Sequence, residues 1–217
     1  MCFSATASFV TAAVTGAAGI AALGSVSRRE EIPLAAVPVI FAMQQSVEGM
    51  LWLALGAGHD GAAVDTLVIV FLLFAKVLWP TLVPMATVLV EPDLRRRRLM
   101  LVLLAAGAAV GGYFLWSILT FGASARIGLG HIVYGGEPQA PVAVQVAYFA
   151  VTCLTALLSS FPAVRWFAGI VIVGSLTSYH VYWEAFSSVW CFFAAAASAV
   201  IVFHFRQVRR LPQVAQS

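Results

Sequence analysis

The chain has 217 residues, of which 62% are hydrophobic and only 10% charged, and its mean hydropathy is +0.96. Soluble globular domains do not have this composition; at ~20 apolar residues per ~30 Å crossing, the chain holds several membrane spans and has almost nothing left for a separate soluble domain. The formal charge of +3 and the pI near 9.0 do not imply a nucleic-acid partner, because the basic residues lie in short loops between apolar runs, as membrane topology requires.

The first apolar run covers residues 5–26 and ends at Ser27, Arg28, Arg29, Glu30 and Glu31. A secretory signal peptide carries its positive charge before the apolar run, so this segment reads as a retained helix. The second span covers 32–56 and is closed by a glycine-rich turn. The third, 64–90, contains Pro80 and Pro84. Neither ring nitrogen can donate a hydrogen bond, so a kinked helix is expected there. After the arginines 95–98 the fourth span covers 99–121, followed by the longest loop, 122–141, which holds His131. The fifth covers 142–160. The last apolar stretch, 166–205, would measure ~60 Å as one helix, so it must fold back within its polar segment, giving spans 166–183 and 187–205. The expected fold is all-α, a single polytopic domain of seven transmembrane helices.

One set of alternate loops holds Arg28, Arg29, the arginines 95–98, Arg165, Arg206, Arg209 and Arg210, whereas the other holds only Arg126. Lys/Arg-rich loops stay in the cytoplasm. With an odd number of spans, this places the N-terminus outside and the C-terminus inside, in the cell membrane.

Polar side chains within spans are costly and mark functional sites. In the second span Gln44, Glu48 and Trp52 recur every four residues, with Gln45 beside them, so they share one helix face. Glu48 is the sharpest candidate; the structural alternative is that the glutamines and the glutamate join helices. The third span carries Lys76, the chain's single lysine, one turn before Trp79 and Pro80. A buried ammonium needs a carboxylate, and Glu48 and Glu184 are the expected partners. Microbial rhodopsins also have seven helices, but their lysine lies in the last helix, which here has none. In the sixth span His180, Trp183 and Glu184 fall on one face beside Tyr179, and Trp190 follows. His180 and Glu184 are spaced to bind a metal, but a metal site wants three protein ligands, and the remaining histidines, His59, His131 and His204, are scattered. No metal or cofactor is expected. Cys2 and Cys191 could form a disulfide at the outer face, while Cys153 reads as a small buried hydrophobe. The shared depth of Ser8, Glu48, Trp52, His180, Glu184 and the His131 loop implies a cavity open to the outer leaflet, with a polar floor and aromatic walls.

Met1-Cys2-Phe3-Ser4-Ala5 with Ser8-Phe9, then Gln44-Gln45-Ser46-Val47-Glu48-Gly49 with Trp52, resemble a family of small bacterial multi-pass membrane proteins of uncharacterised function. Trp79-Pro80, the basic loop after Glu91-Pro92, His131-Ile132-Val133-Tyr134 and Ser188-Val189-Trp190-Cys191 extend the resemblance along nearly the whole chain. It implies a membrane protein with a shared outer-side site and names no reaction. Lys76 and Glu184 belong to none of its motifs.

In size and helix count the chain is also similar to small membrane-bound terpene cyclases. Such an enzyme takes a lipophilic isoprenoid-type substrate from the bilayer and needs one neutral carboxylic acid and aromatic faces for a migrating cation. Glu48 would be that acid, with Glu184 and His180 as further catalytic groups. Gln44, Gln45, Trp52, Lys76, Trp79, His131, Tyr179, Trp183 and Trp190 would line the substrate. A Lys76 ammonium paired with Glu48 would oppose this reading, since it favours the carboxylate over the acid. The alternatives are a proton-coupled carrier or small-ligand-binding membrane protein, or a metal-dependent membrane hydrolase. Carriers usually show internal repeats, and none is visible here.

Overall fold

The computed structural model describes residues 4–128, 130–181, 195 and 200. Its helices are α1 (Ala5–Leu23), α2 (Ile32–Gly56), α3 (Ala62–Leu72), α4 (Trp79–Val90), α5 (Leu94–Phe121), α6 (Val142–Leu157) and α7 (Pro162–Val181). A π-helical turn, Leu73–Leu78, joins α3 to α4. Among the described residues, Ala5–Leu23, Arg29–Gly56, Ala62–Val90 and Leu94–Phe121 are long and apolar enough to cross a membrane, and α6 and α7 contribute shorter apolar helices. The expected span 187–205 lies outside the described residues except for Ala195 and Val200.

α1 and α2 pack as an antiparallel pair whose closest approach is set by small residues. A Cβ on Gly19 would fall 2.6 Å from the Val39 backbone nitrogen, and one on Gly49 would fall 2.8 Å from the Phe9 ring. These two contacts fix the register between the helices. The α4–α5 contact is closer still at Gly107, which meets the Pro80 carbonyl, and Gly111 meets the Val77 carbonyl of the π turn.

Pro80 and Pro84 explain the irregular third span. A proline ring displaces the carbonyl four residues upstream and returns no hydrogen bond to it, so the helix widens to a π turn before Pro80 instead of breaking. The extra residue matters for packing. Phe71 and Trp79, eight residues apart, would sit about 80° from each other on a regular helix and come to within about 20° with one residue inserted. Both are fully buried. In the π register the missing Pro80 N–H would have met the carbonyl five residues back, that of Ala75, which instead accepts from Tyr148 Oη of α6 at 2.6 Å.

The structure departs from the all-α expectation in the loop after α5. Ser124–Gly128 (β1) and His131–Gly135 (β2) form an antiparallel hairpin, with Gly128 opposite His131. Its inward residue Ile132 is fully buried, and the Tyr134 ring stacks on Phe71 with centroids 4.6 Å apart. The β-branched and aromatic residues Ile132, Val133 and Tyr134 favour an extended β2, and Ile127 adds to β1. Gly136 closes the hairpin at φ +99, where a Cβ would meet the Ala123 backbone at 2.8 Å.

The fourth helix starts at Leu94, ahead of the expected residue 99, so the arginines 95–98 form its first turns. Hydropathy marks where the apolar run begins, whereas the cap marks where the helix begins. The Asp93 carboxylate accepts from the Arg96 and Arg95 backbone N–H groups at 2.9 and 2.8 Å. The Arg96 N–H foremost, then Arg95 and the arginine charges, hold the Asp93 carboxyl below its ordinary value. A group whose folded value is depressed stabilises fully above its unfolded value, and that contribution is lost as pH falls through the folded one. Asp93→Asn, which keeps the cap, should therefore flatten the acid limb of melting temperature against pH; an unchanged limb would show that Asp93 does not contribute to it.

The basic end is tied by buried Glu91, which accepts from the Ser160 backbone N–H at 2.8 Å and from the Ser160 hydroxyl. Arg96 Nη1 donates to the Leu158 carbonyl at 3.0 Å, placing a cation at the C-terminus of α6.

Candidate functional site

Three polar side chains in α2, Gln44, Gln45 and Glu48, have no accessible surface. With Phe41 below and Trp52 above they form one stripe along the helix, at spacings of three and four. Trp79, brought round by the π turn, meets this stripe. Its ring stacks on Phe41 with centroids 3.8 Å apart and planes 18° from parallel, and its Nε1–H donates to Gln44 Oε1 at 2.7 Å. Gln45 Nε2 donates to Glu48 Oε2 at 3.3 Å. The two glutamines thus have different roles: Gln44 orients the indole, and Gln45 orients the carboxyl.

Helix α1 supplies Ser8, whose link to this site in the sequence is depth alone. The buried Thr11, Thr15, Thr152 and Thr155 hydroxyls each donate to the carbonyl four residues upstream, the usual solution for a hydroxyl inside a helix. Ser8, with no accessible surface, does not. Its Oγ, Gln45 Oε1 and Trp52 Nε1 are all buried with no hydrogen-bond partner among the described residues. The Phe9–Gly49 contact puts Ser8 level with the α2 segment between Glu48 and Trp52.

Lys76 is not paired as expected. It forms an ion pair with Glu137, and its Nζ lies 5.5 Å from the Phe114 ring centroid. Among the described residues that carboxylate is Glu137 and not Glu48; Glu184 lies outside the described residues. The reason is the length of α6. Its 16 residues reach about 24 Å, and Val151 lies 3.6 Å from the Cβ position of Gly107 while Tyr148 bonds Ala75. The helix therefore begins well below the end of α5. Residues 136–141 must descend from the hairpin to reach it, and this carries Glu137 to the level of Lys76. Gln145 Nε2, donating to the Ala140 carbonyl at 2.7 Å, holds the descent in place.

Glu137 is the polar residue that sequence reasoning missed. The available signal was elimination: the chain has one lysine and nine acidic residues, and the long loop holds just one of the nine.

The structure brings Gln44, Gln45, Glu48, Trp52 and Trp79 together with Ser8. Lys76 stands apart, on its own carboxylate. His131 begins β2, in a hairpin whose first strand packs on α2 and α3. Tyr179 and His180 continue α7, and their side chains are not described; Trp183 and Trp190 lie outside the described residues, as do Cys2 and Cys191. Among the described residues a small apolar crevice lies at the other end of the stripe, between Phe41, Trp79, Val83, Cys153, Phe167 and Val171; the walls expected above Glu48 at Trp183, Glu184 and Trp190 lie outside the described residues. No group of three potential metal ligands occurs among the described residues.

No curated protein and no solved structure matches the chain. The model of the family of unknown function DUF6629 matches residues 1–217, and the chain belongs to that family.

Proposed function

We propose that this protein is a seven-span enzyme of the cell membrane, with its N-terminus outside and its C-terminus cytoplasmic. It acts on a lipophilic isoprenoid-type substrate drawn from the bilayer, as a proton-initiated terpene cyclase. The observation that carries the reading is the fully buried Glu48 on one stripe with the Phe41–Trp79 stack, while Lys76 is engaged by Glu137. That pairing answers the main objection to Glu48 as an acid, because the ammonium that would have held it as a carboxylate is used elsewhere.

In this scheme the Glu48 carboxyl, oriented by Gln45, gives its proton to a terminal alkene carbon or epoxide oxygen. The cation closes onto a neighbouring double bond, a C–C bond forms, and a proton leaves an adjacent carbon to restore the carboxyl. Substrate and product are isomers, and no cofactor is consumed. The stacked indole and phenyl faces stabilise positive charge without supplying a nucleophile that would quench it. Glu184 and His180 are proposed as further proton-handling groups, with Tyr179, Trp183, Trp190 and His131 completing the walls.

The test is product analysis by mass spectrometry, with membranes containing wild type or Glu48→Gln supplied with prenylated aromatics and their terminal epoxides. Wild type should yield a product of unchanged mass with a new retention time, and Glu48→Gln should yield none while folding normally. Well-folded wild type that converts nothing, yet couples uptake of such a compound to proton flow, would replace the cyclase reading with the carrier.

A further inference from the structure

Three buried polar atoms at the level of Glu48 have no hydrogen-bond partner among the described residues: Trp52 Nε1, Gln45 Oε1 and Ser8 Oγ. An unmatched buried polar group is costly; three at one level of a helix pair mark a place where something binds. They also lie on the same side of the helix pair. The line of contact between α1 and α2 runs through Gly16 and Ala42 and through Phe9 and Gly49. At 100° per residue, Gln45 and Trp52 sit about 60–80° round α2 from that line, and Ser8 sits about 80° round α1 in the matching direction for antiparallel helices. All three therefore border one groove, at the level of Glu48.

Their chemistry is specific. Trp52 Nε1–H only donates, Gln45 Oε1 only accepts, and a serine hydroxyl does either. A ligand group that satisfies all of them must accept and donate through one compact polar centre. An ether or ketone oxygen only accepts, and a phosphate or carboxylate brings charge. The surroundings disfavour an anion: the cations at this end among the described residues are Lys76, ion-paired to Glu137, and Arg126, which is exposed on β1.

We propose that this groove binds the neutral hydroxyl of an amphipathic ligand, as in a phenol or alcohol carrying an isoprenoid chain. Trp52 donates to the hydroxyl oxygen, Gln45 accepts its proton, and Ser8 completes the cage. The inference rests on the reading above in taking the ligand to be the enzyme's substrate, and it adds that the head is neutral and bears a hydroxyl, not a diphosphate. The apolar chain then runs along the stripe toward the Phe41–Trp79 crevice.

The test is equilibrium binding to the full chain in lipid nanodiscs, with three probes sharing a farnesyl chain: a phenol, its methyl ether and a diphosphate. The phenol should bind about tenfold more tightly than the ether, the size expected when one buried hydrogen bond, that to Gln45, is left unmade, and the diphosphate most weakly. Gln45→Met should lower phenol affinity to that of the ether and leave the ether unchanged. Ser8→Ala, a milder change, should narrow the preference severalfold and serves if Gln45→Met does not fold. Equal affinity for phenol and ether, tightest binding of the diphosphate, or no binding of any probe to folded wild type would overturn the proposal. Selective phenol binding without turnover would leave it standing and overturn the cyclase instead, whereas turnover with no preference for the hydroxyl would do the reverse.

Discussion

Gly107→Ala should destabilise the protein by roughly 3 kcal/mol or prevent its folding, the upper range for overpacking a close contact. A Cβ there would fall 1.9 Å from the Pro80 carbonyl oxygen and 2.9 Å from its carbon, both backbone atoms that no rotamer change can move. The cause lies one helix away. The Pro84 ring displaces the carbonyl four residues before it, which is that of Pro80, and this oxygen is the atom that meets Gly107. Gly111, one turn on, faces the Val77 carbonyl at 2.8 Å; its alanine variant should cost less. Gly112 has nothing within 4 Å of its Cβ position, so Gly112→Ala should change stability by no more than about 0.5 kcal/mol. Melting temperatures of the three variants in one detergent make the comparison. A wild-type value for Gly107→Ala would show that α4 and α5 do not approach as described, and the placement of Trp79 against Gln44 would then fall with them.

The polar stripe of α2 was legible because it depends only on local spacing. Residues 44, 45, 48 and 52 share a face in any helix, and α2 has no break between Ile32 and Gly56 even at Pro38. That Trp79 belongs with them was not legible. The two prolines announce an irregular helix, but whether it bends, breaks or inserts a residue is decided by what the neighbours can accept, here Tyr148 on the Ala75 carbonyl and a glycine pair on α5. Ser8 was equally hidden. In sequence it cannot be told from Thr11 or Thr15 on the same face; the difference is that their hydroxyls return to the backbone and its own does not.

The hairpin and the Lys76 partner share a different cause. Short strands in an apolar chain give little signal beside helices, and His131-Ile132-Val133-Tyr134 is too short to show a clear period. The partner depends on a long-range fact, that α6 starts low in the bundle and draws residues 136–141 down with it. Lys76 and Glu137 are 61 residues apart, and no local pattern links them. The partner carboxylate lies in a loop, outside every apolar span.

Glu137→Ala should cost about 2–3 kcal/mol, somewhat less than the ~3–5 kcal/mol of breaking a fully buried pair, because the Lys76 side chain keeps 25% of its surface while that of Glu137 keeps 7%. The loss should appear in two places. Melting temperature falls, and residues 136–141 become open to proteolysis, since Glu137 ties that descent to the helix. Lys76→Met combined with Glu137→Gln removes both charges at similar volume and should recover most of the stability, as buried ion pairs commonly exchange for neutral groups at little net cost. Additive single-variant effects, with no recovery in the pair, would show that the two residues do not interact. The pairing also bears on the proposed cyclase reaction, in which Glu48 is the acid. Freed of Glu137, the Lys76 ammonium needs another carboxylate, and wherever it engages Glu48 the acid becomes a carboxylate that cannot give a proton. Product formation should therefore fall further in Glu137→Ala than in the doubly neutral variant, at matched amounts of folded protein. Equal activities would mean that Lys76 does not reach Glu48, and that the ion pair serves the loop alone.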